Sequence, residues 1–212
     1  MQRADWYFDF ISPFAYVQHV QMAQVEKRAQ IRRVPILFAA LLNHWGHKGP
    51  AEIPKKRIFT YEYVQWYARR HNIPFTFPAA HPFNPLPALR LALVCDCRAE
   101  AVGRIFHYLW GEGKDLTDQP SFQALATELG LDNVYQRIAD PAIKTTLRHN
   151  TQQALASGLF GVPSFLISDR LFWGNDSTEM VLDYLADPVN FEKDLAPLAD
   201  VPEAVRRKGA DG

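Results

Sequence analysis

The sequence predicts an α/β protein whose sheet is interrupted by a long helical insertion. Three observations carry this. An aromatic run near the start breaks sharply into a helix at Ser12-Pro13. The middle of the chain, 41–148, reads as helices separated by polar and proline-rich loops. Strand signals return at Gly161 and lead into a last helix.

Trp6-Tyr7-Phe8-Asp9-Phe10-Ile11 is short, aromatic and ends β-branched, which suits a strand. Ser12 is a good N-cap and Pro13 fits a first helical turn, so a helix begins there. A hydroxyl at a helix N-terminus is a common seat for an anion or a thiolate, although a plain cap needs no ligand. Ile31 to Phe38 reads as a second strand, with Pro35 pointing to an edge position or an early end. Strand, crossover helix and strand form a βαβ unit, whose strands run parallel.

Asn43 to Pro50 is a polar loop, and Ile53-Pro54-Lys55-Lys56-Arg57 leads into a helix. On that helix Ile58, Tyr61, Tyr63, Val64 and Tyr67 recur at roughly helical spacing, and Asn72-Ile73-Pro74 ends it. The prolines between Phe77 and Pro87 exclude regular structure and make a stiff loop fit to wall a pocket. Helical spacing resumes from Ala88 to about Leu109, then from Asp118 to Gly130, around 133–138, and from Pro141 to about Leu159. Gly161 to Ile167 and Leu171-Phe172-Trp173 form a β-hairpin about a turn at 168–170. Gly174-Asn175-Asp176-Ser177 caps a final helix carrying Met180, Val181, Tyr184 and Leu185. Beyond Pro188 the chain is charged and reads as loose.

The order β-α-β, helical insertion, α-β-β-α is the thioredoxin arrangement split by a helical domain. The expected units are 1–40, the N-terminal βαβ part; 41–148, the inserted helical domain; 149–190, the C-terminal αββα part; and 191–212, a loose tail.

Composition narrows the function. At 212 residues and 48% hydrophobic, the chain can bury a sizeable core. Lys plus Arg and Asp plus Glu both number 23, which argues against a general nucleic-acid binder. No stretch has the apolar length of a membrane span. Asp5 and Asp9 interrupt any signal-peptide pattern, so a cytoplasmic protein is expected. Cys95 and Cys97 make neither a C-x-x-C pair nor a metal site, and read as small buried hydrophobes.

Three segments together identify a family. They are Tyr7-Phe8-Asp9-Phe10-Ile11-Ser12-Pro13-Phe14-Ala15-Tyr16, then His81-Pro82-Phe83-Asn84-Pro85-Leu86-Pro87-Ala88-Leu89-Arg90, and finally Phe160-Gly161-Val162-Pro163-Ser164-Phe165 with Trp173-Gly174-Asn175-Asp176. In this order the chain resembles the 2-hydroxychromene-2-carboxylate isomerases and the kappa-class glutathione transferases, in the DsbA-like branch of the thioredoxin superfamily. Redox members open the first helix with C-x-x-C. Ser12-Pro13-Phe14-Ala15 stands there instead, and cannot exchange a disulfide. The resemblance therefore implies an external thiol, glutathione.

By resemblance, Ser12 is the catalytic residue, its hydroxyl and the helix dipole favouring a glutathione thiolate. The backbone of Val162, before Pro163, would pair with the cysteinyl backbone of glutathione. Asn175 and Asp176 would hold the γ-glutamyl end. His47 stands where relatives often carry asparagine, and Lys55, Lys56 or Arg57 would meet the glycine carboxylate. For the second substrate, a small aromatic carboxylate, Arg90 or another basic group would hold the carboxylate. Phe14, Trp45 and Phe83 would flank the ring, beside Asn84 and Pro85 of the isomerase-like loop.

The implied reaction interconverts 2-hydroxychromene-2-carboxylate and trans-o-hydroxybenzylidenepyruvate in aromatic hydrocarbon breakdown. Adding a thiolate at the conjugated carbon makes the double bond single, so that it can rotate before the thiolate leaves. A kappa-like transferase is the alternative, and a non-enzymatic DsbA-shaped binding module is another. Relatives imply a homodimer. No metal, nucleic acid or membrane partner is expected.

Overall fold

The computed structural model describes residues 1–205. The chain opens with β1, Gln2–Phe8, passes through α1, Pro13–Val20, and the short α2, Ala23–Glu26, and returns as β2, Ala29–Pro35. The helical segment runs through α3, Phe38–His44; α4, Pro54–Arg70; α5, Leu86–Val94; α6, Ala99–Phe106; and a π turn, His107–Gly111. It continues through α7, Gln119–Glu128; α8, Val134–Ala139; and α9, Pro141–Ala156. The hairpin β3, Ser164–Ile167, and β4, Arg170–Trp173, leads by a 3-10 turn, Asn175–Ser177, into α10, Thr178–Ala186, and α11, Pro188–Leu195.

The strands form one sheet in the order β2-β1-β3-β4. β1 runs parallel to β2, as the βαβ reading requires, and antiparallel to β3. This is the thioredoxin-like arrangement with helices inserted that the sequence predicts.

Alternation along β1 sorts its side chains between two faces. Ala4, Trp6 and Phe8 enter the larger core, while Tyr7 joins Val34, Ile36, Leu41, Leu159 and Val162 on the other side. Phe106 of α6 packs against Trp6, Phe8 and Phe10 with ring centroids 6.1, 5.6 and 4.4 Å apart. The helical segment is thus docked on the sheet through buried rings, each worth about 1.5–3 kcal/mol of burial.

Several elements differ from the sequence reading. β1 ends at Phe8, because Asp9 turns the chain by accepting from the Ile11 N–H. β2 begins at Ala29 and ends at Pro35; Leu37 then leads into α3, a helix the sequence reading did not foresee. The stretch 88–109 is α5, α6 and most of the π turn, broken where Asp96 and Cys97 take φ of 53° and 50°. β3 starts only at Ser164, after Pro163, which has no N–H to give a ladder. Beyond Pro188, α11 replaces the expected loose chain, and its Phe191 lies against Phe172 and Tyr184. The last part of the expected tail, 206–212, lies outside the described residues. Among the described residues no helix is long and apolar enough to cross a membrane.

Candidate active site

The site forms where β1 and β2 run out. Asp9 is fully buried there. One carboxylate oxygen accepts from the Ile11 N–H at 3.0 Å and the other from the Phe38 N–H at 2.9 Å, so a single side chain joins the loops leaving both strands. Burial pushes its pKa up to about 7, although those two N–H bonds pull the other way.

Ser12 is the N-cap of α1, extended at φ −89° and ψ 114°, and buried. Its Oγ accepts from the Ala15 N–H at 3.3 Å. No described group takes the hydroxyl proton, which leaves that proton free to serve an acceptor placed at the helix N-terminus.

A second wall comes from the turn before β3. The Val162-Pro163 peptide is cis, and the Gly174 N–H donates to the Pro163 carbonyl at 2.9 Å. Neither the N–H nor the C=O of Val162 is bonded to another described group, so this peptide edge is open. The Trp173 indole lies over Gly161, where an added Cβ would stand 2.3 Å from its Nε1. Trp173, 54% exposed, meets Phe160 edge-on at 5.1 Å. Trp45, partly exposed, donates from Nε1 to the Leu159 carbonyl at 2.9 Å. Trp45 and Trp173 therefore hold the Leu159 and Gly161 backbone just before Val162, with Phe160 packed on Trp173.

A third wall is the turn carrying Asn175 and Asp176. Asn175 is 7% exposed, and its Nδ2 has no partner, a buried donor without an acceptor. Asp176 is exposed beside it. Gln18 ties this turn to α1: its Nε2 donates to the Gly174 carbonyl and to Thr178 Oγ1, both at 3.0 Å, while its Oε1 accepts from Trp6 Nε1 at 2.7 Å.

The remaining candidates are dispersed. Phe14 is half-buried with its ring 6.0 Å from Tyr63 of α4. Phe83 lies 5.9 Å from both His81 and Trp110. Asn84 accepts from the Leu86 N–H at 3.1 Å, and Pro85 is the N-cap of α5, so both serve the start of that helix. Arg90 is half-buried on α5 with an unpartnered Nε. His47, Lys55, Lys56 and Arg57 are exposed. No hydrogen bond, ion pair or ring contact joins Arg90, Asn84, His47, Lys55 or Lys56 to Ser12 among the described residues.

Asp9, Gln18, His81 and Trp110 enter the site without having been singled out from the sequence. His81 Nε2 lies 2.9 Å from the Ile11 carbonyl, and Trp110 Nε1 donates to the Phe10 carbonyl at 2.8 Å. Asp9 lies within the 7–16 segment but has no site role in the sequence reading, and the sequence signal for Gln18 is polarity inside an apolar stretch.

Residues 3–186 match the family model of the DSBA-like thioredoxin domain. The chain belongs to the DSBA-like thioredoxin family. This DSBA-like chain is 32% identical to a 2-hydroxychromene-2-carboxylate isomerase of Sphingobium xenophagum over 193 residues, 86% of its own length and 97% of the relative's. Glutathione S-transferase kappa 1 of Caenorhabditis elegans is 22% identical, over 89% of this chain and 92% of the relative. A solved structure of a 2-hydroxychromene-2-carboxylate isomerase superposes with a TM-score of 0.75 at 25% identity, covering 91% of this chain and 98% of that one. Within the DSBA-like family, the chain's relatives thus include named isomerases and kappa-class transferases.

Proposed function

We propose that the protein is a glutathione-dependent isomerase interconverting 2-hydroxychromene-2-carboxylate and trans-o-hydroxybenzylidenepyruvate. The observation that carries this is Ser12, a capping hydroxyl with an uncommitted proton at the start of α1, in a position where a thiol pair would make an oxidoreductase. The names of the relatives support the reaction.

The residues present fit glutathione. The open peptide edge of Val162 offers one donor and one acceptor to an extended peptide. The orphaned Asn175 Nδ2 offers a buried donor to a carboxylate, and the Asp176 carboxylate suits an ammonium group. When bound there, glutathione would supply a nucleophilic thiolate able to add reversibly to a conjugated carbon. Ser12 donates its hydroxyl proton toward the sulfur, and the N-terminus of α1 adds its dipole. Phe14, two residues from Ser12, and Phe83, beside His81, are the half-buried rings assigned to the aromatic substrate.

Isomerisation followed by absorbance, with and without glutathione, tests this. Turnover should need glutathione and fall about 100-fold in Ser12→Ala, the usual scale for losing one donor to a developing charge. Turnover without glutathione would contradict the proposal. A kappa-like transferase is the second reading, favoured by the transferase relatives. It would consume glutathione and accumulate a thioether, whereas the isomerase leaves glutathione unchanged.

A further inference from the structure

Five consecutive carbonyls, from Phe8 to Ser12, are each held by a donor. Phe8 O accepts from Ile36 N at 2.9 Å, and Asp9 O from Ser12 N at 3.1 Å. Ser12 O accepts from Ala15 N and Tyr16 N at 3.1 and 3.3 Å. Those donors are backbone groups of the sheet, the turn and the helix. The Phe10 and Ile11 carbonyls lie between strand and helix, where neither ladder reaches them. Buried carbonyls without partners are costly, so donors must come from elsewhere. They come from the helical segment: Trp110 Nε1 to Phe10 at 2.8 Å and His81 Nε2 to Ile11 at 2.9 Å.

We propose that His81 and Trp110 are positioning residues through which the helical segment sets the geometry of Ser12; the catalytic consequence rests on the role given to Ser12 above. A carbonyl only accepts, so His81 carries its proton on Nε2. Its bare Nδ1 then accepts from the Tyr61 hydroxyl at 2.7 Å, a donor that also faces the His81 carbonyl at 3.0 Å. Tyr61, on α4, thereby anchors both the ring and the backbone of His81, while the Ile11 carbonyl selects the tautomer. Burial lowers the imidazole pKa and so favours the neutral ring of this arrangement, although the bond to Ile11 pulls the other way. Trp110 is placed by the π turn, closed by the Glu112 N–H donating to the His107 carbonyl at 2.8 Å. Such turns shift helix register by one residue and recur at functional sites. Gly111 leaves room for the His107 ring beside this turn, since a Cβ there would stand 2.2 Å from His107 Nδ1. The rings also brace each other, with His81 5.3 Å from Trp110. A displacement of about 1 Å in a positioned group can cost about 100-fold in rate, so this clamp matters to Ser12 without touching substrate.

Hydrogen exchange of the 9–16 segment in the ligand-free protein tests the clamp, comparing the parent with His81→Leu and His81→Gln. Glutamine retains an N–H donor near the position of Nε2, and leucine does not. His81→Leu should speed exchange of the Ser12, Ala15 and Tyr16 amides about tenfold, with β3 and α10 unchanged; His81→Gln should stay near the parent. No acceleration in His81→Leu, equal local acceleration in both variants, or acceleration spread evenly over the sheet would each overturn the proposal. If His81→Leu fails to fold, Tyr61→Phe takes its place, with faster exchange confined to the loop as the expected result. Glutathione binding by the parent is measured in parallel. Its absence would sink the cofactor reading, while exchange still judges the clamp.

Discussion

Ser12 uses one oxygen in two ways: Oγ accepts from Ala15 to cap α1, and the same hydroxyl keeps a proton to give. Capping alone is worth about 1 kcal/mol, so loss of the cap and loss of catalysis are separable in magnitude. Asp9 beneath it brings a pH dependence. Its folded pKa is raised from 3.8 to about 7, so the folded state holds the proton more tightly than the unfolded chain. The stability this gives is full below pH 3.8 and is lost as pH rises through 7. Asp9→Asn has no such titration. Thermal unfolding measured across this range should show the parent losing ground to the variant as pH rises. A flat difference would mean that Asp9 ionises as readily folded as unfolded. His19, half-buried and lowered by desolvation to about 4, acts with the opposite sign: its contribution is lost as pH falls below 6.5. The difference between parent and Asp9→Asn isolates Asp9 from it.

Among the elements, α1 and the 175–177 turn are coupled by the buried carboxamide of Gln18. Gln18→Leu leaves the Trp6 N–H without an acceptor and removes the bonds from α1 to Gly174 and Thr178, although the Gly174 carbonyl keeps its bonds from Ser177. It should weaken glutathione binding about tenfold by letting the Asn175 turn drift from Ser12, as calorimetry would show. Unchanged affinity would mean that the turn is held by packing alone. Gln18 also shows what sequence reading reaches. The start of α1 was legible because Ser12 and Pro13 act within their own turn. Gln18 bonds Gly174 across 156 positions, and His81 reaches Ile11 across 70, so neither role has a local signature. The same holds for α3. Its N-cap, Leu37, makes no side-chain cap bond, and the first helical N–H is bound instead by Asp9, 29 positions earlier. The break between α5 and α6 was hidden because Asp96 and Cys97 adopt left-handed φ without a glycine to announce it.

At the scale of the molecule, sheet and helical segment share one apolar cluster, in which Trp6, Phe8 and Phe10 meet Phe106 and Trp110. The two should unfold together, in a single calorimetric transition. Phe106→Ala should lower the stability of both by about 3–5 kcal/mol. Two transitions, with only one shifted by this variant, would mean that the helical segment folds as a unit of its own. This shared core lets donors from the helical segment reach the turn before Ser12, and it links the architecture to the chemistry proposed for that residue. Titration of the bound glutathione thiol by its thiolate absorbance tests that chemistry most directly. In the parent protein the thiol should ionise well below about 8.5, the ordinary range of a free thiol, and in Ser12→Ala it should return toward that value. A bound thiol that ionises at the free value in the parent, or at the same lowered value in both proteins, would contradict the role assigned to Ser12.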